Sequence, residues 1–224
     1  MRSWTQDVAV LAAPPRGPVL CFAPHADDEV LGAGGTLALH RDQGDPVAVA
    51  VVFDGRLGLP VGLPADTRRR EAQAAAQVLG LAPYEFLDYP EGHEPTAPQL
   101  AEGVERLARV IRAVAPRTIY GPWVGEAHPD HRLLARVLAL AWRAAGRDAE
   151  LWGYEVWTPL EAQRLVEVSA AWPRKLEALS RYGSQDGGGA LRELAEQRGA
   201  LRTALLRGPH SRGEAFVRFL EHAP

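Results

Sequence analysis

The chain has 224 residues, 46% of them hydrophobic and 24% charged, and a formal net charge of −3. That is the composition of a soluble globular protein with ample length for one well-buried core. A charge so near zero gives no reason to expect nucleic acid or an anionic membrane surface as a partner. One cysteine, Cys21, excludes an internal disulfide and a cysteine-rich zinc site.

Residues Val8 to Ala13 form an apolar stretch interrupted before it by Asp7 and closed by Pro14-Pro15. It is too short for a membrane span and a poor signal peptide, so a cytoplasmic protein is expected. Short apolar runs then alternate with longer amphipathic stretches, the pattern of βαβ units around a mainly parallel sheet. Strands are predicted at Pro18 to Pro24, Val47 to Phe53, Tyr84 to Leu87, Thr118 to Gly121 and Leu151 to Trp157. Helices are predicted from Asp28 or Glu29 to before Gly44, from Asp66 or Thr67 to Leu79 with Gly80 as stop, after Pro98 until Pro116, and from Leu133 to Ala145. Arg56 to Asp66, rich in glycine and proline, reads as a loop or lid. Beyond Pro159 the signal weakens. Val166 to Val168 suits an edge strand, Trp172 to Arg181 a helix, and Leu191 to Leu206 a last helix. The expected fold is α/β, a Rossmann-like three-layer fold with a mainly parallel sheet. One domain is expected, with a core of about residues 16–160 and a helical C-terminal extension over about 161–224.

Chemistry concentrates in two places. His25-Ala26-Asp27-Asp28-Glu29 follows the first strand and opens the first helix. His128-Pro129-Asp130-His131 stands where the fourth strand hands over to a helix. Loops at the carboxyl ends of parallel strands are where such sheets bind ligands. Adjacent carboxylates in a crevice raise each other's pKa, so two of them with an imidazole either stay fully solvated or surround a cation. Catalytic zinc sites use three His, Asp or Glu ligands with one position open, and these loops offer His25, Asp28 and either His128 or His131. A spare acid remains to act as general base. Because Asp27 and Asp28 are neighbours, they cannot point the same way. One can bind metal while the other faces the water.

The segments PHADDEVLGAGG and GEAHPDH together resemble the LmbE-like, or PIG-L, family of metal-dependent N-deacetylases acting on N-acetylglucosamine-type conjugates. Arg68-Arg69-Arg70-Glu71, Leu87 to Gly92 and Tyr182-Gly183-Ser184-Gln185 extend the similarity more weakly. The resemblance implies that His25, Asp28 and His131 bind the metal, with Zn2+ as default and Fe2+ or another divalent ion as the alternative. It implies Asp27 as general base, His128 as the group facing the oxyanion and leaving amine, and Asp130 as the residue that orients His128. It also implies that Arg68 contacts a sugar hydroxyl, and that the partner is a small amino-sugar conjugate. Some members carry a tyrosine two residues before HPDH. Glu126 stands there in this chain, leaving His128 alone or Tyr89 as oxyanion donor.

Two other readings use the same residues. His25-Ala26-Asp27 with a distant histidine also fits the facial triad of non-haem iron oxygenases, although that arrangement belongs with an all-β barrel. A non-catalytic sugar-binding α/β domain would keep the fold without metal. The glycines of Gly32-Ala33-Gly34-Gly35 lack dinucleotide-fingerprint spacing and are expected to let the first helix pack closely. His40, His210 and His222 have no acidic company at ligand spacing, and His93 reads as a surface residue. The aromatics Trp152, Tyr154 and Trp157 are candidates to line a sugar or aglycone site.

Overall fold

A computed structural model describes residues 8–203, 205–206 and 210–219; His222 lies outside them. In chain order the elements are β1 (Ala9–Leu11), β2 (Val19–Ala23), α1 (Asp28–Asp42), β3 (Val47–Phe53), α2 (Thr67–Leu79), β4 (Glu85–Tyr89) and α3 (Ala97–Val114). They continue with β5 (Thr118–Pro122), α4 (Pro129–Ala144), β6 (Glu150–Tyr154), β7 (Arg164–Glu167), α5 (Trp172–Leu179), α6 (Ala190–Thr203) and β8 (Gly213–Arg218). All eight strands form one sheet in the order β1-β7-β8-β6-β5-β2-β3-β4. Only β8 runs antiparallel to its neighbours, β6 and β7. This is the mainly parallel α/β sheet expected, not the all-β barrel of the oxygenase reading.

The sheet is covered on both faces, which is why β2 and β5 are buried at every position. Strand alternation sorts the side chains. Val19, Cys21 and Ala23 join Val49, Val51 and Tyr120 in a core with α1, α2 and α5. Leu20 and Phe22 join Ala50, Val52 and Ile119 in a second core with α3 and α4. Cys21 is buried as a small hydrophobe.

Chain order decides where a crevice opens. From β2 the chain crosses through α1 to β3 on one side, whereas β5 lies against the opposite side of β2, in register Val19 with Thr118 and Cys21 with Tyr120. The loops leaving β2 and β5 therefore start side by side and depart towards opposite layers. That is a topological switch point, and both histidine clusters sit at it.

Two devices fix α1, the helix that begins inside this crevice. A Cβ on Gly32 would lie 2.1 Å from Tyr154 Cδ2, and one on Gly35 would lie 2.8 Å from Val168 Cβ. Both glycines thus permit the close packing expected of them. Midway along α1, Glu214 of β8 accepts the backbone N–H groups of Gly35 and Thr36 at 2.8 and 2.7 Å. Lys175 of α5 donates to Leu31 O at 2.8 Å and to Glu214 Oε1 at 2.6 Å. The buried ion pair therefore borders the helix backbone at Leu31 and Gly35.

Residues beyond 160 do not form a purely helical extension. They carry β7 and β8, which enlarge the sheet. β7 is not an edge strand either, since β1 pairs with it in parallel and takes the edge. Among the described residues no helix is long and apolar enough to cross a membrane.

Candidate metal and catalytic site

The loop from β2 delivers His25, Asp27 and Asp28, and the one from β5 delivers His128, Asp130 and His131. His25, Asp27, Asp28, Asp130 and His131 are each 6% exposed or less. Asp28 stands at the centre. Its Oδ2 accepts the backbone N–H of His25 at 2.9 Å, and lies 3.3 Å from His25 Nδ1 and 3.1 Å from His131 Nε2. Burial opposes ionisation of Asp28, but His131 and His25 outweigh it and hold the carboxyl well below its ordinary range.

His131 tests whether these residues suit a metal. Its ring is fully buried, and although Asp28 Oδ2 lies 3.1 Å from Nε2, neither ring nitrogen makes a well-aligned hydrogen bond among the described residues. Leaving a buried polar atom unsatisfied costs about 1–3 kcal/mol. A cation beside Nε2 removes that cost at one nitrogen, and Asp28 Oδ2 is already within reach of the same ion. The other nitrogen, Nδ1, is 3.8 Å from Glu126 Oε2, the kind of carboxylate that supports a metal-ligating histidine from behind. One nitrogen each from His25, His128 and His131 also lie within 4.8 Å of one another. The donor set of nitrogen and carboxylate oxygen suits zinc or another first-row divalent ion.

Asp130 behaves differently from the expectation that it orients His128. Its Oδ2 is 3.1 Å from His25 Nε2, and both of its carboxylate oxygens accept the N–H of Gly92 at 3.2 Å. His25 Nε2 is also 3.6 Å from Glu91 Oε1. Burial lowers the His25 pKa, but hydrogen bonds to Asp130 and Asp28 overcome it and lift the value to about 10. What holds His128 is the Asp130 backbone N–H, which donates to His128 Nδ1 at 3.2 Å. An accepting Nδ1 puts the proton of neutral His128 on Nε2. Burial and the neighbouring His131 and His25 further depress its pKa. His128 is thus a neutral donor at the start of α4, where the helix dipole also favours a negative ligand.

Asp27 occupies the N-cap of α1 but makes no side-chain capping bond, so a capping role does not account for it. Its backbone is strained, with φ 122° and ψ −31° in a residue that carries a Cβ. Such a conformation costs on the order of 1–3 kcal/mol and persists only where the surroundings enforce it. Burial and the charge of Asp28 raise the Asp27 carboxyl well above its ordinary pKa, opposed by Arg68. Arg68 is itself turned inward. It donates to Gly55 O and Ala26 O at 3.1 Å each and lies 3.8 Å from Asp27 Oδ1. At 7% exposure its guanidinium braces the loop that carries Asp27.

The sequence matches the PIG-L family, described as GlcNAc-PI de-N-acetylase, over residues 20–142. The chain belongs to the PIG-L family. It is 32% identical over 122 residues to the diacetylchitobiose deacetylase of Thermococcus kodakarensis, covering 51% of this chain and 45% of that enzyme. It spans between about half and two thirds of the length of the other curated deacetylases it matches. Over 198 residues it is 27% identical to the 4-oxalmesaconate hydratase of Pseudomonas putida, covering 77% of this chain and 75% of that one. Among solved structures, the conserved protein TT1542 of Thermus thermophilus superposes with a TM-score of 0.78 at 29% identity, covering 91% of this chain and 94% of that chain.

Glu126, where some PIG-L members carry tyrosine, turns its carboxylate to the backbone of residues 156–158. Its carboxylate is buried and accepts N–H groups from Val156 at 2.6 Å, Trp157 at 3.0 Å and Thr158 at 3.3 Å. Tyr89 lines an apolar cavity of about 170 Å³ with residues of α3 and α4, and its buried hydroxyl has no hydrogen-bond partner among the described residues. The other aromatics divide. Tyr154 and Trp152 are buried in β6, so they are unavailable to a ligand, while Trp157 is 46% exposed. His93, an exposed residue, stands at the cavity rim, and His210 is exposed. His40 is buried between Asp45 and Tyr120, far along α1 from the site.

Proposed function

We propose that this PIG-L chain is a metal-dependent N-deacetylase that hydrolyses the acetamide of an N-acetylglucosamine-type conjugate. The observation that carries the reading is the buried convergence of His25 and His131 on Asp28 Oδ2, with the His131 nitrogens lacking well-aligned hydrogen bonds and a second carboxylate, Asp27, next in the chain. The family description and the diacetylchitobiose deacetylase support the amino-sugar substrate class.

His25, Asp28 and His131 would hold the ion, zinc by default and iron(II) as the alternative. Once bound, a divalent ion polarises the acyl oxygen and makes water a nucleophile near neutral pH. Asp27 accepts the water's proton, a task suited to a carboxyl whose affinity for protons is raised by burial. His128 donates its Nε2–H to the oxyanion of the tetrahedral intermediate. It is a poor source of the proton that the amine needs, because its Nδ1 is held as an acceptor by the Asp130 N–H. Asp27, protonated in the first step, returns that proton to the amine nitrogen as the C–N bond breaks. The products are acetate and a free amine, with Asp27 restored. Arg68 keeps the loop carrying Asp27 in place.

Beside the site, the exposed segment with Leu57, Val61 and Leu63, together with the cavity at Tyr89, offers apolar surface to an aglycone. Conjugated N-acetylglucosamine is therefore expected to have a higher kcat/KM than the free sugar, part of the gain appearing in kcat. The test is elemental analysis of the purified protein and acetate release from a panel of acetylated sugars, before and after chelation. Metal with chelator-sensitive acetate release supports the reading. Metal-free protein that only binds sugars would make it a binding domain, and water addition to an unsaturated acid without acetate release would place it with the hydratase relative.

A further inference from the structure

The strained backbone of Asp27 is held by a side chain that takes no part in the chemistry above. Glu29 Oε2 accepts the Asp27 backbone N–H at 3.1 Å, across two residues of the same turn. Its other oxygen, Oε1, accepts the Tyr182 hydroxyl at 2.5 Å. Glu29 and Tyr182 are both 0% exposed, so neither carboxylate oxygen can exchange its partner for bulk water. Tyr182 follows α5 and lies outside the stretch matched by the family. The residues after it anchor the same segment. Ser184 donates through its N–H and hydroxyl to Glu71 of α2 at 2.8 and 2.6 Å, and Gln185 donates to Gly58 O at 3.1 Å.

We infer that Glu29 and Tyr182 form a strut that positions Asp27, holding its main chain at positive φ so that its carboxylate faces the reacting water. The inference rests on the function proposed above. The physical case is that a residue with a Cβ leaves positive φ unless its neighbours forbid it. Arg68 fixes the carbonyl of Ala26 on one side of Asp27, and Glu29 fixes the N–H of Asp27 itself. Without the tyrosine, the Glu29 carboxylate loses the hydrogen bond that fixes its rotamer. Asp28, one residue on, is held independently by the His25 N–H and stays in place. The strut therefore acts on the base and leaves the metal donors alone. Glu29 and Tyr182 are positioning residues, since neither touches substrate or metal.

The test compares Tyr182→Phe, Glu29→Gln and Glu29→Ala with the wild type in metal content, melting temperature, kcat and KM, and adds crystal structures of wild type and Glu29→Ala. A misplaced reacting group can lose about a hundredfold in rate. Glu29→Ala is expected to lower kcat by about that factor, with KM within about twofold and metal content unchanged. Glu29→Gln keeps an oxygen for the Asp27 N–H and should recover much of the loss, and Tyr182→Phe should fall between. In the Glu29→Ala crystal Asp27 should leave positive φ. Full kcat in Glu29→Ala and Tyr182→Phe would overturn the strut, as would a loss of kcat that tracks loss of metal or folding. If the wild type releases no acetate from any conjugate, the proposed function fails. The strut is then judged by the crystals alone, and an unmoved Asp27 in Glu29→Ala overturns it.

Discussion

Replacing Lys175 with methionine removes the ammonium that borders α1 while keeping most of the side-chain volume. Lys175 is 2% exposed and Glu214 4%, so water cannot take over for either. The mutant leaves Leu31 O without the lysine donor, and leaves Glu214 buried with only the N–H groups of Gly35 and Thr36 as partners. Breaking a buried ion pair from one side costs about 3–5 kcal/mol, because the remaining charge stays desolvated. Gly35 N–H can turn to Leu31 O as in a regular helix only by leaving the Glu214 carboxylate, so that exchange recovers nothing. The expected loss is therefore about 3–5 kcal/mol. Urea unfolding measures it. With a slope of about 2–3 kcal/mol/M for a chain of this size, the midpoint should fall by roughly 1–2.5 M at unchanged slope. A midpoint within about 0.3 M of wild type would show that the pair does not hold α1 as described.

Gly32→Ala drives a methyl group into the Tyr154 ring, where the nearest atom is 2.1 Å away, and threatens the Tyr154 hydroxyl bond to Phe22 O at 2.9 Å. Overpacking costs about 1–3 kcal/mol and the helix gains about 1 kcal/mol from losing glycine, so a lower melting temperature is expected, and a raised one would refute the close contact. Glu126→Gln presents an amide N–H₂ to backbone donors at residues 156–158 and weakens the carboxylate behind His131. Metal affinity, measured against a competing chelator, should drop about 10–100-fold, and an unchanged value would remove Glu126 from the site's support.

Much of this was legible in the sequence because the central strands are continuous apolar runs. Val47–Phe53 coincides with its predicted span, and β2 and β5 lie within or beside theirs. β8 escaped because Gly213–Arg218 places Glu214 and Arg218 among its apolar residues, and Glu214 faces a helix backbone that no local pattern reveals. β1 is a three-residue edge strand with little signal of its own. Both clusters of the site could be found from residue type and spacing, yet their meeting depends on β2 and β5 being neighbours, which is a matter of topology. The same limit hides which partners individual side chains take. Asp130 reaches His25 across the crevice, although His128 is nearer in sequence, and Arg68 turns to Ala26 and Gly55 because both loops end above α2. Trp152 and Tyr154 read as ligand-facing aromatics only while β6 is not known to be covered on both sides.

The division of labour between the two adjacent aspartates is the central claim, and one paired measurement addresses it directly: metal content and acetate release of Asp27→Asn beside Asp28→Ala. Asparagine keeps the shape of Asp27 but cannot take the water's proton, so Asp27→Asn should retain metal at wild-type stoichiometry while kcat falls by about 10²–10⁴. Asp28→Ala removes the oxygen that lies between His25 and His131, so it should lose both metal and activity. Loss of metal in Asp27→Asn, with metal retained in Asp28→Ala, would contradict the account by exchanging the two roles.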